Sequence, residues 1–211
     1  RDAEYVRDAL LAAKPLYREV RTQVVNGEKA TRANVIAALD ALVESVTADD
    51  VAVVFFSSHG SLDDQGRYYI PLAETRTDPA TAGAADTTDR LLGRELMERI
   101  GRVRGRTLLL LDTCCAGGCL QVDLPKEARV AWLLACDEEE SSSGQYDRQD
   151  RPHGYFVIAL CEALAGRADA DRNGVVTFAE VTGYVPDRAA GFFPSQNALR
   201  SKPSALDALP L

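Results

Sequence analysis

Apolar strand-like runs interleaved with amphipathic segments predict an α/β protein, a three-layer α/β/α sandwich around a mainly parallel sheet. Two runs carry most of this expectation. Residues 51–57 read VAVVFFS and residues 106–112 read RTLLLLD, continuous enough for strands covered on both faces. A third run, VAWLLAC, ends at Cys136. At 211 residues the chain is long enough to bury one substantial core, so a single domain over 1–211 is expected.

The remaining elements follow in order. Residues 2–13 carry apolar positions at helical spacing, and 17–25 (YREVRTQVV) alternate polar and apolar as a strand does. Thr31 stands where an N-cap would open a helix over 32–46. Residues 68–72 (YYIPL) read as a short strand, 73–90 as a surface loop and 91–103 as a helix. Residues 137–152 are acidic and Ser-rich, the composition of a loop, while 154–165 and 178–190 read as helices. Trp132 is expected in the core and His153 on the surface.

Bulk chemistry narrows the partners. With 46% hydrophobic and 27% charged residues the composition is globular, not disordered. A net charge of −8 disfavours nucleic acid and anionic membrane, and suits basic peptides. No run of 18 apolar residues is present, so no membrane span is expected. The five cysteines are odd in number and three crowd into 114–119, which speaks against a disulfide framework and for a reducing, cytoplasmic setting. No cysteine or histidine spacing suits zinc.

In open parallel sheets, ligands sit beyond the carboxyl ends of the strands. The run at 51–57 leads into Ser58-His59-Gly60, and the run at 106–112 into Asp112-Thr113-Cys114-Cys115-Ala116-Gly117-Gly118. A histidine and a thiol are therefore expected at one edge. A thiol attacks a carbonyl as thiolate and needs a base, and a histidine titrating near neutrality supplies one. Glycines permit close approach, and the N–H groups of Gly60 and Cys114 are candidate oxyanion donors. The alternative is a structural histidine beside a thiol that packs as a small hydrophobe. Their joint position after two buried strands weighs against it.

SSHG at 57–60 and LLLLDTCCAGG at 108–118 resemble the two active-site motifs of the caspase-like cysteine peptidase superfamily, with similar separation. The sequence is most similar to metacaspases and bacterial orthocaspases, whose thiol motif reads Asp-x-Cys-His-Ser-Gly. YYIPL, VAWLLAC and GYFVIALCEAL follow the family order, so the resemblance spans nearly the whole chain. It implies a caspase-hemoglobinase-like fold, with a large-subunit-like part (1–118), a connection (119–128) and a small-subunit-like part (129–211). It implies a cysteine endopeptidase with His59 and Cys114 as its dyad, needing no cofactor for chemistry and acting on polypeptides. Two departures stand out. Cys115-Ala116 replaces the family's His-Ser, although the register keeps Cys114 as nucleophile and leaves Cys115, Cys119, Cys136 and Cys161 as structural. The family's first buried strand, carried ahead of a helix like 2–13, has no counterpart here, which reads as a chain beginning inside the domain, a fragment, a trimmed or a processed product; bacterial relatives that carry such domains beside interaction modules imply fusion to other modules.

By the same resemblance Asp112 lines the S1 pocket and selects Arg or Lys at P1, where a buried carboxylate would meet a guanidinium. Its alternative is a helix cap. Asp137 is a candidate second pocket carboxylate, or one charge of the solvated 137–140 run. A separate motif, Asp169-Ala-Asp171-Arg-Asn173-Gly174-Val175 through Glu180, fits the EF-hand loop at every constrained position. Calcium would take oxygens from Asp169, Asp171, Asn173, the Val175 carbonyl and bidentate Glu180. The alternative is a metal-free Asx-rich turn. For the chain as a whole, two further readings stay open: a signalling scaffold that cleaves little, and an enzyme preferring acidic P1 residues, against which Asp112 argues.

Overall fold

In the computed structural model, which describes residues 1–73, 89–146, 152–202 and 204–211, the apolar runs form the centre of the molecule. The chain runs through α1 (Asp2–Leu10), α2 (Arg32–Ser45), β1 (Val51–Ser57), β2 (Ser61–Leu62), β3 (Tyr68–Pro71), β4 (Arg90–Leu92), α3 (Gly93–Ile100) and β5 (Arg106–Asp112). It continues through β6 (Val130–Leu134), β7 (Gly144–Tyr146), β8 (Pro152–Gly154), α4 (Tyr155–Glu162), α5 (Phe178–Phe192) and β9 (Leu199–Arg200). The main sheet has the order β1-β5-β6-β9. Strands β1, β5 and β6 are parallel, and β9 joins antiparallel. This is the mainly parallel α/β arrangement that the sequence predicts.

Sheet faces follow from residue parity, because successive strand side chains point to opposite sides. Leu108, Leu110, Ala131 and Leu133 face a layer of α1, α4 and α5, meeting Val6, Phe156, Leu160, Phe178 and Val181. Leu109, Leu111 and Leu134 face the other way, onto Val35 and Leu39 of α2 and Leu96, Met97 and Ile100 of α3. Strand β5 is covered on both sides, with every residue from Thr107 to Asp112 buried. Burying such a leucine stabilises the fold by about 1.5–3 kcal/mol, so the four leucines of β5 fix which strand lies central. Trp132 is only half-buried, on the same side as Leu134.

Local signals explain several boundaries. Thr31 caps α2, its Oγ1 accepting the Asn34 N–H at 3.3 Å. Thr177 and Glu180 form a reciprocal capping box at the start of α5. Helix α1 gives way to a tighter turn at Leu11–Leu16, where Pro15 lacks the donor that an α-helix needs.

Three expectations are corrected. Residues 17–25 form no strand. They lie across a cleft from β1, which is itself an edge of the sheet, so the alternating segment has no ladder partner at bonding distance. The span 137–152 is not all loop, since Gly144–Tyr146 and Pro152–Gly154 pair as a short antiparallel hairpin. The surface loop expected over 73–90 lies mostly outside the described residues; its last residue, Arg90, and the first two of the helix expected over 91–103 form β4, which pairs with β3, and the helix itself is Gly93–Ile100. No helix among the described residues is long and apolar enough to cross a membrane.

Amide hydrogen exchange checks the first correction. Amides of 108–111 are expected to open only with global unfolding, and those of 19–24 within the earliest exchange times. Equal protection of the two segments would restore 17–25 as a strand.

Candidate functional site

The β1–β5 ladder pairs Ser57 with Asp112, and the Ser58 N–H donates to the Asp112 carbonyl at 3.2 Å. Both chains therefore leave the sheet at the same level. Two residues later on each comes a reactive side chain, His59 and Cys114. The two turns touch: a Cβ on Gly60 would stand 2.2 Å from the Cys114 carbonyl oxygen and 2.9 Å from the Thr113 Cβ. That contact is why glycine must follow His59. The two expected oxyanion donors, the N–H groups of Gly60 and Cys114, belong to these touching turns.

Other elements hold the thiol turn in place. The Tyr68 hydroxyl of β3 meets Thr113 Oγ1 at 2.6 Å in a buried contact. Cys115 has a left-handed backbone, φ 56°, which costs about 1–2 kcal/mol for a residue with a Cβ. Its N–H donates to the Glu140 carbonyl at 2.8 Å, its carbonyl accepts from Gly118 at 2.9 Å, and the Gly117 N–H reaches the Cys136 carbonyl at 3.1 Å. These bonds over-determine the conformation. His59 is exposed and Cys114 half-buried, with the Cys114 thiol 3.6 Å from the Ser142 carbonyl.

The other cysteines stand in different surroundings. Burial pushes the thiols of Cys119, Cys136 and Cys161 up to about 12. Burial, and then the neighbouring Cys114, raises Cys115 as well. Cys136 also donates to the carbonyls of Thr113, at 3.2 Å, and Glu140, at 3.3 Å. These groups stay protonated and pack as small apolar side chains.

Beside Cys114 lies an acidic pocket. Asp112 is 5% exposed, and its Oδ1 accepts the Ser142 hydroxyl at 2.5 Å. Burial drives its carboxyl up to about 7, with the Ser142 bond pulling down and the charge of Asp2 pushing further up. It does not cap a helix. Gly154 packs against it so closely that a Cβ there would come 2.0 Å from Oδ2. Ser142 is fixed by its neighbour: the Ser143 N–H donates to the buried Gln196 Oε1 at 3.1 Å, and the Ser143 carbonyl accepts from Tyr155 at 2.8 Å.

Asp2, at the start of α1, completes the pocket and is a residue that the sequence reading missed. Its Oδ2 accepts the Ser57 hydroxyl at 3.2 Å and the Gly154 N–H at 3.4 Å, while Oδ1 lies 2.5 Å from His153 Nδ1. An acid in the first turn of a helix is ordinary dipole pairing, so no local signal sets Asp2 apart. His153 is not a surface residue: its side chain is 11% exposed, packed between Asp2 and the Tyr5 ring. Asp137 does not join the pocket. It is exposed and bonded locally, its Oδ1 accepting the Glu138 N–H at 2.7 Å. Its carboxylate packs against Gly117, where a Cβ would stand 2.7 Å from Oδ1, and it does not line the cleft of Cys114 and Asp112.

His59, Cys114, Asp112, Asp2, Ser142 and His153 all line one cleft of about 1660 Å³. It runs on from the pocket between α1 and α2, along the edge of β1 that carries no strand among the described residues.

Far from this cleft in sequence, the loop before α5 gathers Asp169, Asp171 and Glu180, with carboxylate oxygens within 4.8 Å of one another. Asp169 accepts N–H groups of Asn173, at 3.1 Å, and Gly174, at 2.9 Å. The Asn173 Oδ1 accepts from Val175 at 2.8 Å, and Arg172 and Gly174 are left-handed. Glu180 is already engaged by Thr177, whose N–H and hydroxyl lie 2.9 and 2.8 Å from Oε2, and these bonds lower its carboxyl below the usual range. The donors are hard oxygens of the kind calcium takes, but a bidentate Glu180 must give up its cap.

A family model described as the caspase domain of peptidase family C14 matches residues 2–198. A search of curated proteins finds no match. Among solved structures, the crystal structure of protein GSU0716 from Geobacter sulfurreducens superposes with a TM-score of 0.64 at 16% identity, over 99% of this chain and 86% of that one. That likeness supports the fold, and the family match covers β1, β5 and β6, both touching turns and the acidic pocket. The chain belongs to the caspase-domain family of cysteine peptidases.

Proposed function

We propose that the protein is an endopeptidase that cuts after Arg or Lys, with Cys114 as nucleophile and His59 as base. The observation that carries this reading is the pair of carboxylates, Asp112 and Asp2, in the same cleft as Cys114. His59 takes the proton of the Cys114 thiol, and the thiolate attacks the scissile carbonyl. The N–H groups of Gly60 and Cys114 donate to the oxyanion. As the C–N bond breaks, His59 returns the proton to the leaving amine, and water then hydrolyses the thioester. A cationic P1 side chain pairs with Asp112 and Asp2, and its charge favours the ionised form of Asp112 that burial alone disfavours.

The loop from Asp169 to Glu180 binds calcium in this reading, supported by its motif and its clustered carboxylates. Affinity is weak, because Glu180 must exchange hydrogen bonds to Thr177 for metal contacts. The residues hold the ion, and no step of peptide cleavage runs through it.

Peptidase assays with fluorogenic peptides test the dyad. Cys114→Ala is expected to abolish cleavage, Cys115→Ala to retain most of it, and His59→Ala to lose at least about 10²–10⁴-fold in kcat. Tight binding of peptides without turnover by the unaltered protein would instead support a scaffold.

Asp112→Asn should remove the preference for arginine over citrulline at P1. It should also change stability in a pH-dependent way. A carboxyl whose folded value is raised favours the folded state at low pH, and that contribution is lost as pH rises from about 4 through about 7. Urea titrations should therefore show Asp112→Asn more stable than the unaltered protein at pH 8, with the gain fading toward pH 4. No such gain would mean that Asp112 is not desolvated.

Calcium at ten times its Kd is expected to raise stability by about 1.4 kcal/mol through linkage. Differential scanning fluorimetry should show this as a rise in Tm that Asp169→Ala eliminates. A Tm unchanged in millimolar calcium would exclude the site.

A further inference from the structure

The contact between His153 and Asp2 does more than the P1 pocket needs for its architecture. Asp2 is already oriented through Oδ2 by Ser57 and by the Gly154 N–H. On Oδ1 sits an imidazole, with Nδ1 in hydrogen-bond contact at 2.5 Å. Both side chains are largely enclosed, 11% exposed for His153 and 15% for Asp2. With Nδ1–H directed at the carboxylate, protonation of Nε2 alone decides whether the imidazole is neutral or a cation.

We propose that His153 is the positioning residue of the P1 pocket and its exchangeable counter-charge: it orients Asp2, and a cationic P1 side chain that docks against Asp2 releases one proton from His153 to solvent. The proposal rests on the basic P1 reading above. When His153 is protonated, Asp2 has a counter-ion, and an arriving guanidinium meets both a satisfied carboxylate and a nearby like charge. When it is neutral, the Nδ1–H still holds Asp2 in place, and the carboxylate is open to the substrate. The balance is one cation in and one proton out. A fixed polar donor at position 153 would orient Asp2 equally well, so what histidine adds is a second ring nitrogen that can take up a proton.

Among the described residues, the titratable groups facing this pair come from three elements. From α1 there are Asp2 itself and the Tyr5 ring, with its centroid 5.2 Å from that of His153. From β5 there is Asp112, whose carboxyl responds to the charge on Asp2. From α4 there is Cys161, which responds to the same charge. Across the hairpin, the residue paired with His153 is the neutral Gln145. Asp112 thus titrates in the same pocket, and the experiment must separate its proton from that of His153.

The test is the pH dependence of KM between pH 5 and 8 for matched peptides with arginine or citrulline at P1. For arginine, KM should climb as pH falls, each coupled proton adding up to about tenfold per pH unit. His153→Asn places an amide donor near the Nδ1 position and cannot take up a proton, so the limiting slope of log KM should fall by one. His153→Ala should raise KM at pH 8 as well, because Asp2 loses a partner, and His153→Asn should rescue that loss. A wild-type slope in His153→Asn, or a wild-type KM in His153→Ala at every pH, would overturn the proposal. Histidine NMR on the substrate-free protein gives an independent reading: Asp2→Asn should lower the His153 pKa, and so should saturation with agmatine, a guanidinium probe. Agmatine that binds without moving His153 overturns this proposal and leaves the P1 reading intact. No discrimination between arginine and citrulline overturns the P1 reading itself, and this proposal with it.

Discussion

The parallel ladder between β1 and β5 sets Ser57 opposite Asp112, and the working geometry descends from that register. Each strand ends, one residue passes, and His59 or Cys114 follows, so strand spacing sets the reach between them more than any long loop does. A shift of one residue in either strand would turn its side chains to the other face. The register is secured by burial: Leu108 and Leu110 must meet the α4–α5 layer while Leu109 and Leu111 meet α2 and α3. Core packing and site alignment are thus one constraint.

The pocket next to this junction is held at a cost to the fold. Asp112 gives up hydration for a single hydroxyl partner, Ser142, and stands near a second carboxylate, Asp2. Left-handed Cys115 adds backbone strain beside it. Neither feature helps the chain to fold, and both border the cleft that, in the reading proposed above, receives a substrate cation and the scissile bond. Strain and buried charge are sustained by rigid surroundings, here the Tyr68–Thr113 contact and the Gln196 anchor on Ser143.

How far the sequence discloses this depends on the range of the forces involved. Strands β1, β5 and β6 are legible because continuous apolar runs have few other uses, and α2 because Thr31 caps it. His59, Cys114 and Asp112 are legible because they follow those runs directly. Asp2 and His153 are not: they lie 151 positions apart, and each looks locally like a helix-dipole acid or a loop histidine. Asp137 misleads in the opposite direction, since adjacency to β6 suggests the pocket while its carboxylate packs against Gly117 and does not line the cleft. Residues 17–25 show that alternation records a segment's two environments, not the presence of a partner strand. The hairpin at 144–154 and the two-residue β9 are too short to leave a periodic trace.

Among the described residues no strand pairs with the outer edge of β1, and this has a colloidal consequence. Its sequence, VAVVFFS, contains no lysine, proline or charge of the kind that normally blunts an exposed strand. What guards it is enclosure: α1, α2 and the 17–25 segment wall the cleft, so a flat sheet from another molecule cannot reach the backbone. Such enclosure lasts only while the walls stay folded, so loosening of α1 by heat or mild denaturant would open this edge to intermolecular β-pairing before the central sheet itself melts.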